Sequence, residues 1–143
     1  MELEDHLFFL CTQVTTRRDR ALADVLRPLG LLSTEWRVLG TLRIKGAMTM
    51  LELAQWTAYE RTRLSKLLHN MQERGWLERL GNDSDKRSVL LQIAPLGVAL
   101  HRKAEKKVDA LNDEVLQAFS EVEVARVRGM LSGIRQTLID KGY

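Results

Sequence analysis

Apolar residues recur at helical spacing through the first part of the chain. The members of this stripe are Leu3, Leu7, Leu10, Cys11, Val14, Leu22, Val25 and Leu26. A spacing of three and four residues predicts a helix from Leu3 to Leu26. Pro28 and Gly30 follow it and mark its end. A second amphipathic helix is predicted after Ser33, which is a suitable N-cap residue.

Two capping-box patterns then follow closely in the sequence. Thr49 and Glu52 have the spacing of a capping box, and so do Thr57 and Glu60. The first box predicts a short helix, and the second predicts a longer helix that ends near Arg74. Two helices separated by so short a polar turn are typical of a helix-turn-helix.

A β-hairpin is predicted directly after the helix-turn-helix. One strand begins near Leu77, and the segment Gly81–Ser84 has the composition of a turn. In the second strand Val89, Leu91 and Ile93 alternate with less apolar positions, which predicts one apolar face. A two-stranded hairpin is marginal alone in water, so it must pack on the helices. The order of elements predicts a winged helix.

The last third of the chain carries two more apolar stripes at helical spacing. The first is Leu100, Ala104, Val108, Leu111, Val115 and Phe119, and the second is Val124, Val127, Leu131, Ile134 and Leu138. Ser120 and Glu123 form a third capping box between them. The winged helix already has its own core, so these surplus apolar faces predict burial against a second copy of the chain. A twofold dimer would present two identical helices about 34–36 Å apart, one turn of DNA.

Composition narrows the class of protein. The 143 residues suffice for one domain, and 45% hydrophobic with 29% charged residues is typical of a soluble globular protein. A net charge of +3 weakly favours an anionic partner. The single cysteine suits a reducing compartment, and we find neither a signal-peptide pattern nor a membrane-spanning run. We therefore expect a cytoplasmic protein that does not contact a membrane.

Catalysis, metal binding and cofactor binding have no support in the sequence. His6, His69 and His101 are far apart and are accompanied by no nucleophile or paired carboxylates. Scattered histidines and Cys11 lack the spacing of metal ligands. We therefore predict that the protein is not an enzyme and needs no cofactor or metal.

The second helix of the helix-turn-helix has two chemically different faces. Its apolar face is Leu64, Leu67, Leu68 and Met71, and its polar side is Arg61, Thr62, Arg63, Ser65, Lys66 and His69. Arginine and lysine donate hydrogen bonds to guanine edges, whereas serine and threonine bond to bases or phosphates. These residues are candidates for DNA recognition in a groove, although every amphipathic helix has a polar face.

Three charged residues lie at the predicted tip of the hairpin. Lys86 and Arg87 would suit the minor groove or adjacent phosphates, where the potential is negative. Asp85 would be repelled by DNA, so we predict that it accepts a bond from Arg87 or Arg61 and holds the tip in shape. The alternative is an ordinary solvated turn.

The sequence resembles the MarR family of bacterial transcription regulators over essentially its whole length. The similarity rests on EWRVL (35–39), TMLELA (49–54), RTRLSKLLHNMQERGWLERL (61–80) and DKRSVLLQIAPLG (85–97). Ile93-Ala94 replaces the Leu-Thr that is common in the family, and no proline precedes the acidic wing residue. The resemblance implies a single domain, 1–143, in which 1–30 and 96–143 form dimerisation helices and 31–95 form the winged helix-turn-helix.

The resemblance also implies a function. Such a homodimer would bind a pseudo-palindromic operator in double-stranded DNA, repress nearby genes, and leave the DNA when a small, often aromatic, ligand binds. Recognition would fall to Arg61, Thr62, Arg63, Ser65, Lys66 and His69, and wing contacts to Asp85 and Arg87. One alternative class is a winged helix that binds another protein, although the cationic recognition helix argues against it.

The resemblance implies effector contacts from Arg18 and Trp36. Arg18 belongs to a basic cluster in the first helix, with Arg17 and Arg20. This cluster could bind a carboxylate effector, contact phosphate, or pair with Asp19, Asp24 or a partner subunit. For Trp36, a plain core residue is the favoured interpretation. Cys11 suggests a further alternative, a redox-responsive regulator, but a buried free cysteine usually behaves as a small hydrophobic residue.

Overall fold

The computed structural model describes residues 2–81 and 88–143, which form a mostly helical fold with a small antiparallel sheet. The helices are α1 (Leu7–Leu26), α2 (Ser33–Lys45), α3 (Met50–Thr57), α4 (Arg61–Glu73), α5 (Pro95–Leu116) and α6 (Glu121–Asp140). The strands are β1 (Met48–Thr49), β2 (Leu77–Gly81) and β3 (Val89–Ile93). The predicted fold class is confirmed.

The chain divides into two compact units, one through Val108 and one from Asp109 onward. Helix α5 therefore begins in the first unit and ends in the second. The predicted division of labour, with 1–30 and 96–143 for dimerisation and 31–95 for DNA, stays a prediction.

The first unit is built around a leucine-rich core. Its largest fully buried side chains are Leu22, Leu26, Val38, Leu39, Leu42, Leu53, Leu64 and Met71. They come from α1, α2, α3 and α4, so the helix-turn-helix is packed onto the two preceding helices. Burial of each such side chain contributes about 1.5–3 kcal/mol relative to exposure. This core fixes which side of α4 faces outward.

The predicted hairpin is part of a three-stranded sheet in the described residues, with the order β1-β3-β2. Met48 of β1 pairs with Leu91 of β3, which in turn pairs with Arg79 of β2. Of the three residues predicted to form the apolar face of β3, only Leu91 is fully buried. Val89 is 43% exposed because its partner across the ladder is Gly81, which has no side chain to cover it.

Helix α1 begins later than the sequence predicts, and helix α2 has a different N-cap residue. A 3-10 turn occupies Leu3–Asp5, and the extended backbone of His6 separates it from α1, so α1 begins at Leu7. The N-cap of α2 is Leu32 rather than Ser33. The Glu35 carboxylate accepts a hydrogen bond from the Leu32 amide at 2.9 Å, which replaces the expected serine cap.

Two of the three capping boxes are confirmed. The Thr49 hydroxyl accepts from the Glu52 amide at 3.2 Å, and the Glu52 carboxylate accepts from the Thr49 amide at 2.8 Å. Ser120 and Glu123 make the same reciprocal pair at 3.2 and 2.8 Å. These boxes fix the starts of α3 and α6 as predicted.

The capping box predicted at Thr57 is wrong. Thr57 ends α3, and its hydroxyl donates to the Leu53 carbonyl oxygen at 2.7 Å. Ala58 then adopts the left-handed conformation, with φ of 57°, which turns the chain out of α3. Glu60 is the N-cap of α4, so α4 begins at Arg61.

The second unit exposes a large amount of apolar side chain. Its exposed members are Val115, Leu116, Phe119, Val122, Val127, Met130, Leu131 and Leu138. A cavity of about 240 Å³ at the α5–α6 corner is lined by Leu116, Phe119, Glu123, Val124 and Val127. Among the described residues, no helix combines the length and apolarity needed to cross a bilayer.

Candidate nucleic-acid interface

Helix α4 separates its apolar and polar faces as predicted. Leu64, Leu68 and Met71 are buried, whereas Leu67 is only partly buried. The six candidate recognition residues are all exposed: Arg61, Thr62, Arg63, Ser65, Lys66 and His69. Core packing therefore directs this set of hydrogen-bond donors toward solvent.

An open cleft of about 580 Å³ brings most of the candidates together. It is lined by Met50, Arg61, Thr62, Ser65, Lys66, His69 and Arg79. Arg63 is exposed on α4 but does not line this cleft. The cleft therefore contains three side chains that are cationic at neutral pH and two hydroxyl groups, a composition suited to phosphates and base edges.

Arg79 is a member of this cleft that the sequence reasoning missed. It lies on β2, opposite Leu91 of β3, and it is exposed. It also lines a neighbouring cavity of about 370 Å³ together with Ser65 of α4 and Ser88 at the base of β3. The alternation in Leu77-Glu78-Arg79 places Arg79 on the same face of β2 as the buried Leu77, but the sequence gives no signal that this face borders α4.

The N-terminus of α4 is closed by its own carboxylate. Glu60 accepts hydrogen bonds from the backbone amides of Thr62 at 3.0 Å and Arg63 at 3.1 Å. These bonds, the Thr62 amide first, hold the pKa of Glu60 below its ordinary value. The carboxylate occupies the amides that could otherwise bind a phosphate, so attraction for DNA must come from cationic side chains.

The C-terminal end of α4 is anchored by Arg74. Its guanidinium donates to the Gly30 carbonyl oxygen at 3.3 Å, lies 3.8 Å from the buried Glu35 carboxylate, and covers the Trp76 ring at 4.8 Å. Gly75, with φ of 74°, reverses the chain after the helix. Helix α4 is thereby tied to the start of α2.

The predicted wing residues Asp85, Lys86 and Arg87 lie outside the described residues. The described parts of the hairpin are β2 and β3, and Ser88 lines the smaller cavity together with Ser65 of α4. The roles predicted for the three charged residues stay predictions.

The two candidate effector residues have different neighbours. Arg18 is half-buried on α1; burial first, and then the nearby Arg37, lower its pKa, while Asp19 opposes the shift. Trp36 stacks on His101 of α5, with ring centroids 4.2 Å apart and planes 7° apart. Trp36 therefore contributes to packing between α2 and α5, and Arg18 to a cluster between α1 and α2.

A polar cluster beside Trp36 was also missed from the sequence. Arg43 of α2 lies 2.7 Å from both His101 Nδ1 and the Glu105 carboxylate of α5. The guanidinium can only donate, so His101 Nδ1 acts as the acceptor. Hydrogen bonding to Arg43 lowers the pKa of Glu105 below its ordinary value. The sequence separation of 58 and 62 residues leaves no local signal for this cluster.

Two further sequence expectations concern a redox role for Cys11 and metal binding. Cys11 is a free, partly buried cysteine on α1. Within residues 2–81 and 88–143, no group of three or more histidine, cysteine, aspartate or glutamate side chains could hold a metal ion. The redox alternative stays a prediction.

The fold and the cleft define a winged-helix regulator, and comparisons with known proteins agree. The MarR family model matches residues 29–88. The multiple antibiotic resistance protein MarR of Salmonella typhimurium is 31% identical over 126 residues, covering 87% of this chain and 88% of that protein. The chain belongs to the MarR family of transcription regulators.

Solved structures extend this similarity to the fold. A variant of MarR from E. coli in complex with operator DNA has a TM-score of 0.79 and 29% identity, covering 90% of this chain and 92% of that one. CouR from Rhodococcus jostii RHA1, bound to p-coumaroyl-CoA, has a TM-score of 0.86 at 24% identity, covering 94% and 95%. The second likeness concerns the fold alone.

Proposed function

We propose that this protein is a cytoplasmic repressor that binds a pseudo-palindromic operator as a homodimer and is released by a small aromatic ligand. The observation that carries the DNA-binding part is the cleft on the outer face of α4. There Arg61 and Lys66 lie with Arg79 of β2, and Thr62 and Ser65 add hydroxyl groups. The MarR variant that is similar to this chain was solved with operator DNA.

The cleft supports groove recognition on chemical grounds. Helix α4 presents donors along its exposed side, and its N-terminal half is free to approach base edges, as in other helix-turn-helix proteins. Arg63 is exposed beside the cleft and would reach the adjacent strand or base. In this proposal Lys86 and Arg87 contact the minor groove or phosphates, and Asp85 orients one of the arginines.

The homodimer is supported by the exposed apolar side chains of the second unit. Val127 and Leu131 of α6 are 55% and 46% exposed, and Phe119 is 58% exposed. A monomer would leave this apolar surface in water, whereas a second copy would cover it. Two copies related by a twofold axis would deliver two recognition helices to the two halves of the operator.

The salt dependence of DNA binding tests the proposed function. Operator fragments would first be selected from the host genome, and their affinity for the full chain measured by fluorescence anisotropy at several salt concentrations. We expect log affinity to fall steeply with log salt concentration, because phosphate contacts release counterions. A flat response, or no binding to any duplex, would favour a winged helix that binds another protein.

The effector part of the proposal rests on Arg18 and Trp36. Arg18 is half-buried beside the ion pair of Arg37 and Asp19, so the group keeps a net positive charge that would attract a carboxylate. Trp36 offers a flat apolar ring. Small aromatic acids would be screened for release of the best operator fragment. We expect Arg18→Gln to reduce sensitivity to the effective acid, whereas release that is unchanged by Arg18→Gln would remove Arg18 from the site.

A further inference from the structure

Arg37 on α2 contacts two elements that are distant in the sequence. Its Nη1 donates to the Tyr59 hydroxyl at 3.2 Å. Its Nη2 forms a short ion pair with the Asp19 carboxylate of α1. The planar guanidinium is suited to this use because its nitrogens are fixed relative to one another, so a shift of one partner is transmitted to the other.

Tyr59 lies in the short segment that sets the start of the recognition helix. It follows Ala58, whose left-handed backbone ends α3, and it precedes Glu60, the N-cap of α4. Glu60 is bonded to the first turn of α4 through the amides of Thr62 and Arg63. The position of the Tyr59 hydroxyl therefore constrains where α4 begins.

The bridge is partly shielded from solvent. The side chains of Arg37 and Asp19 are 39% and 38% exposed. Burial disfavours the charged guanidinium, but the bonds to Tyr59 and then Asp19 outweigh it and raise the pKa of Arg37 above its ordinary value. A half-buried ion pair with an additional hydrogen bond holds its geometry better than a flexible surface pair.

We propose that Arg37 is a positioning residue, which sets the N-terminal end of the recognition helix through Tyr59 and couples it to α1 through Asp19. A movement of α1 would then reach the DNA-reading surface by way of one guanidinium. This inference rests on the proposed DNA-binding function for its consequence, but the bridge itself can be tested without DNA.

The first test measures hydrogen exchange of the free full-length protein. Tyr59→Phe removes only the hydroxyl, and Asp19→Asn removes the charge on α1 while preserving size. We expect both variants to exchange the amides of the first turn of α4, Thr62 to Leu64, several-fold faster than the parent protein. The amide of Glu123 at the Ser120-capped start of α6 is the internal control and should exchange at the parent rate.

The second test measures operator affinity and its salt dependence. Tyr59→Phe, Asp19→Asn and Arg37→Gln should each weaken binding roughly three- to tenfold, the effect of one lost hydrogen bond. The double variant Arg37→Gln/Tyr59→Phe should bind about as well as Arg37→Gln alone, since both changes break one bridge. The slope of log affinity against log salt concentration should be the same as in the parent protein. Lys103→Gln removes a charge from an exposed position of α5 and should bind like the parent.

Three outcomes would overturn the inference. Parent-like exchange of the α4 amides in both Tyr59→Phe and Asp19→Asn would show that the bridge does not set the helix start. A salt slope lowered by about one in Arg37→Gln, with full affinity in Tyr59→Phe, would identify Arg37 as a phosphate contact. Lower thermal stability with parent-like affinity would identify a purely structural role. A parent protein that fails to bind DNA would contradict the proposed function, but it would leave the hydrogen-exchange test of the bridge intact.

Discussion

Gly97 shows how a single backbone position controls the junction between the wing and α5. A Cβ at this residue would overlap the Trp76 carbonyl oxygen and lie 3.0 Å from Ile93 Cγ1. The same carbonyl accepts a hydrogen bond from the Ala94 amide at 2.9 Å, so it is held in place from the other side. The strand β3, the segment after α4 and the first turn of α5 meet at a spacing that only glycine permits.

Gly97→Ala is therefore expected to destabilise the protein although it replaces a helical glycine. In an open helix, Gly→Ala gains up to about 1 kcal/mol. Here the overlap with rigid backbone should reverse the sign and cost roughly 1–3 kcal/mol, measured by urea or thermal unfolding. Gly129→Ala is the matched control, because nothing lies within 4 Å of a Cβ at that position of α6. Equal stabilisation by both variants would contradict this view.

At the scale of elements, α2 connects the parts of the first unit. Its N-terminal Glu35 approaches Arg74 after α4, its central Arg37 bridges α1 and Tyr59, and its C-terminal Arg43 reaches His101 and Glu105 of α5. Each contact pairs a charged side chain of α2 with a different neighbour. Helix α2 therefore connects α1, the residues that flank α4, and α5.

The pair between Arg43 and Glu105 predicts a defined pH dependence. Because hydrogen bonding to Arg43 depresses the pKa of Glu105 in the folded state, its ionised carboxylate stabilises the fold at neutral pH. That contribution is lost as the pH falls through the depressed folded pKa. Glu105→Gln should lower the unfolding midpoint at pH 7, and the difference from the parent should shrink below about pH 4.

Glu114→Gln provides the control for this pH effect. Glu114 is an exposed carboxylate on the same helix. We expect Glu114→Gln to change the unfolding midpoint less than Glu105→Gln at pH 7. A Glu105→Gln variant that keeps the parent midpoint at every pH would show that the Arg43 pair contributes nothing to stability.

Helix α4, the proposed recognition helix, gives a prediction for operator preference. If Arg63 and Lys66 contact bases, Arg63→Ala and Lys66→Ala should each reduce discrimination between operator and random duplex by about 1–3 kcal/mol. Arg87→Ala should instead weaken binding evenly across sequences. Lys103→Ala, an exposed lysine of α5, is the control. Parent-like affinity in all of the α4 and wing variants would remove the assignment.

The sequence predicts those features that are encoded locally. The apolar periodicity of α4 predicts its buried side, and the boxes at Thr49 and Ser120 predict two helix starts, because each depends on residues within four positions. Thr57 fits the same pattern and fails, since its hydroxyl bonds backward into α3. The spacing of Thr57 and Glu60 alone does not reveal whether the Thr57 hydroxyl bonds forward into α4 or backward into α3.

Features that depend on tertiary contacts were not predictable in this way. Arg79 enters the cleft because β2 pairs with β3 beside α4. The buried Glu35 would be read as a surface residue from its chemistry, yet it is 2% exposed and caps α2. Arg37 and Asp19 are 18 residues apart, and only the packing of α1 on α2 brings them together.

At the scale of the whole molecule, exposed apolar surface predicts association. The chain has a mass of 16.4 kDa, so a homodimer should sediment with twice that mass at micromolar concentration. Val127→Glu combined with Leu131→Glu places charges on exposed apolar positions of α6 and should shift the protein to the monomer. Operator affinity should then fall at least tenfold, because one half-site is lost.

A variant with changes at exposed polar positions of α6 is the control for the loss of the dimer. Arg126→Gln and Arg128→Gln also change the net charge by about two negative units, at exposed positions of α6. We expect these changes to leave most of the protein dimeric. A parent protein that sediments as a folded monomer, while binding operator DNA tightly, would contradict the proposed assembly.

The carboxylate that closes the first turn of α4 has a consequence for how the protein would search a chromosome. Glu60 places a negative charge at the first turn of α4 and occupies backbone amides there. Without it, these amides could bind the phosphates of any DNA sequence. In the proposed DNA-binding mode, binding to arbitrary sequence would be weakened, while side chains further along α4 would still bond to matching bases. Residence on wrong sites would then shorten, and the time spent on the operator would become a larger share of the total.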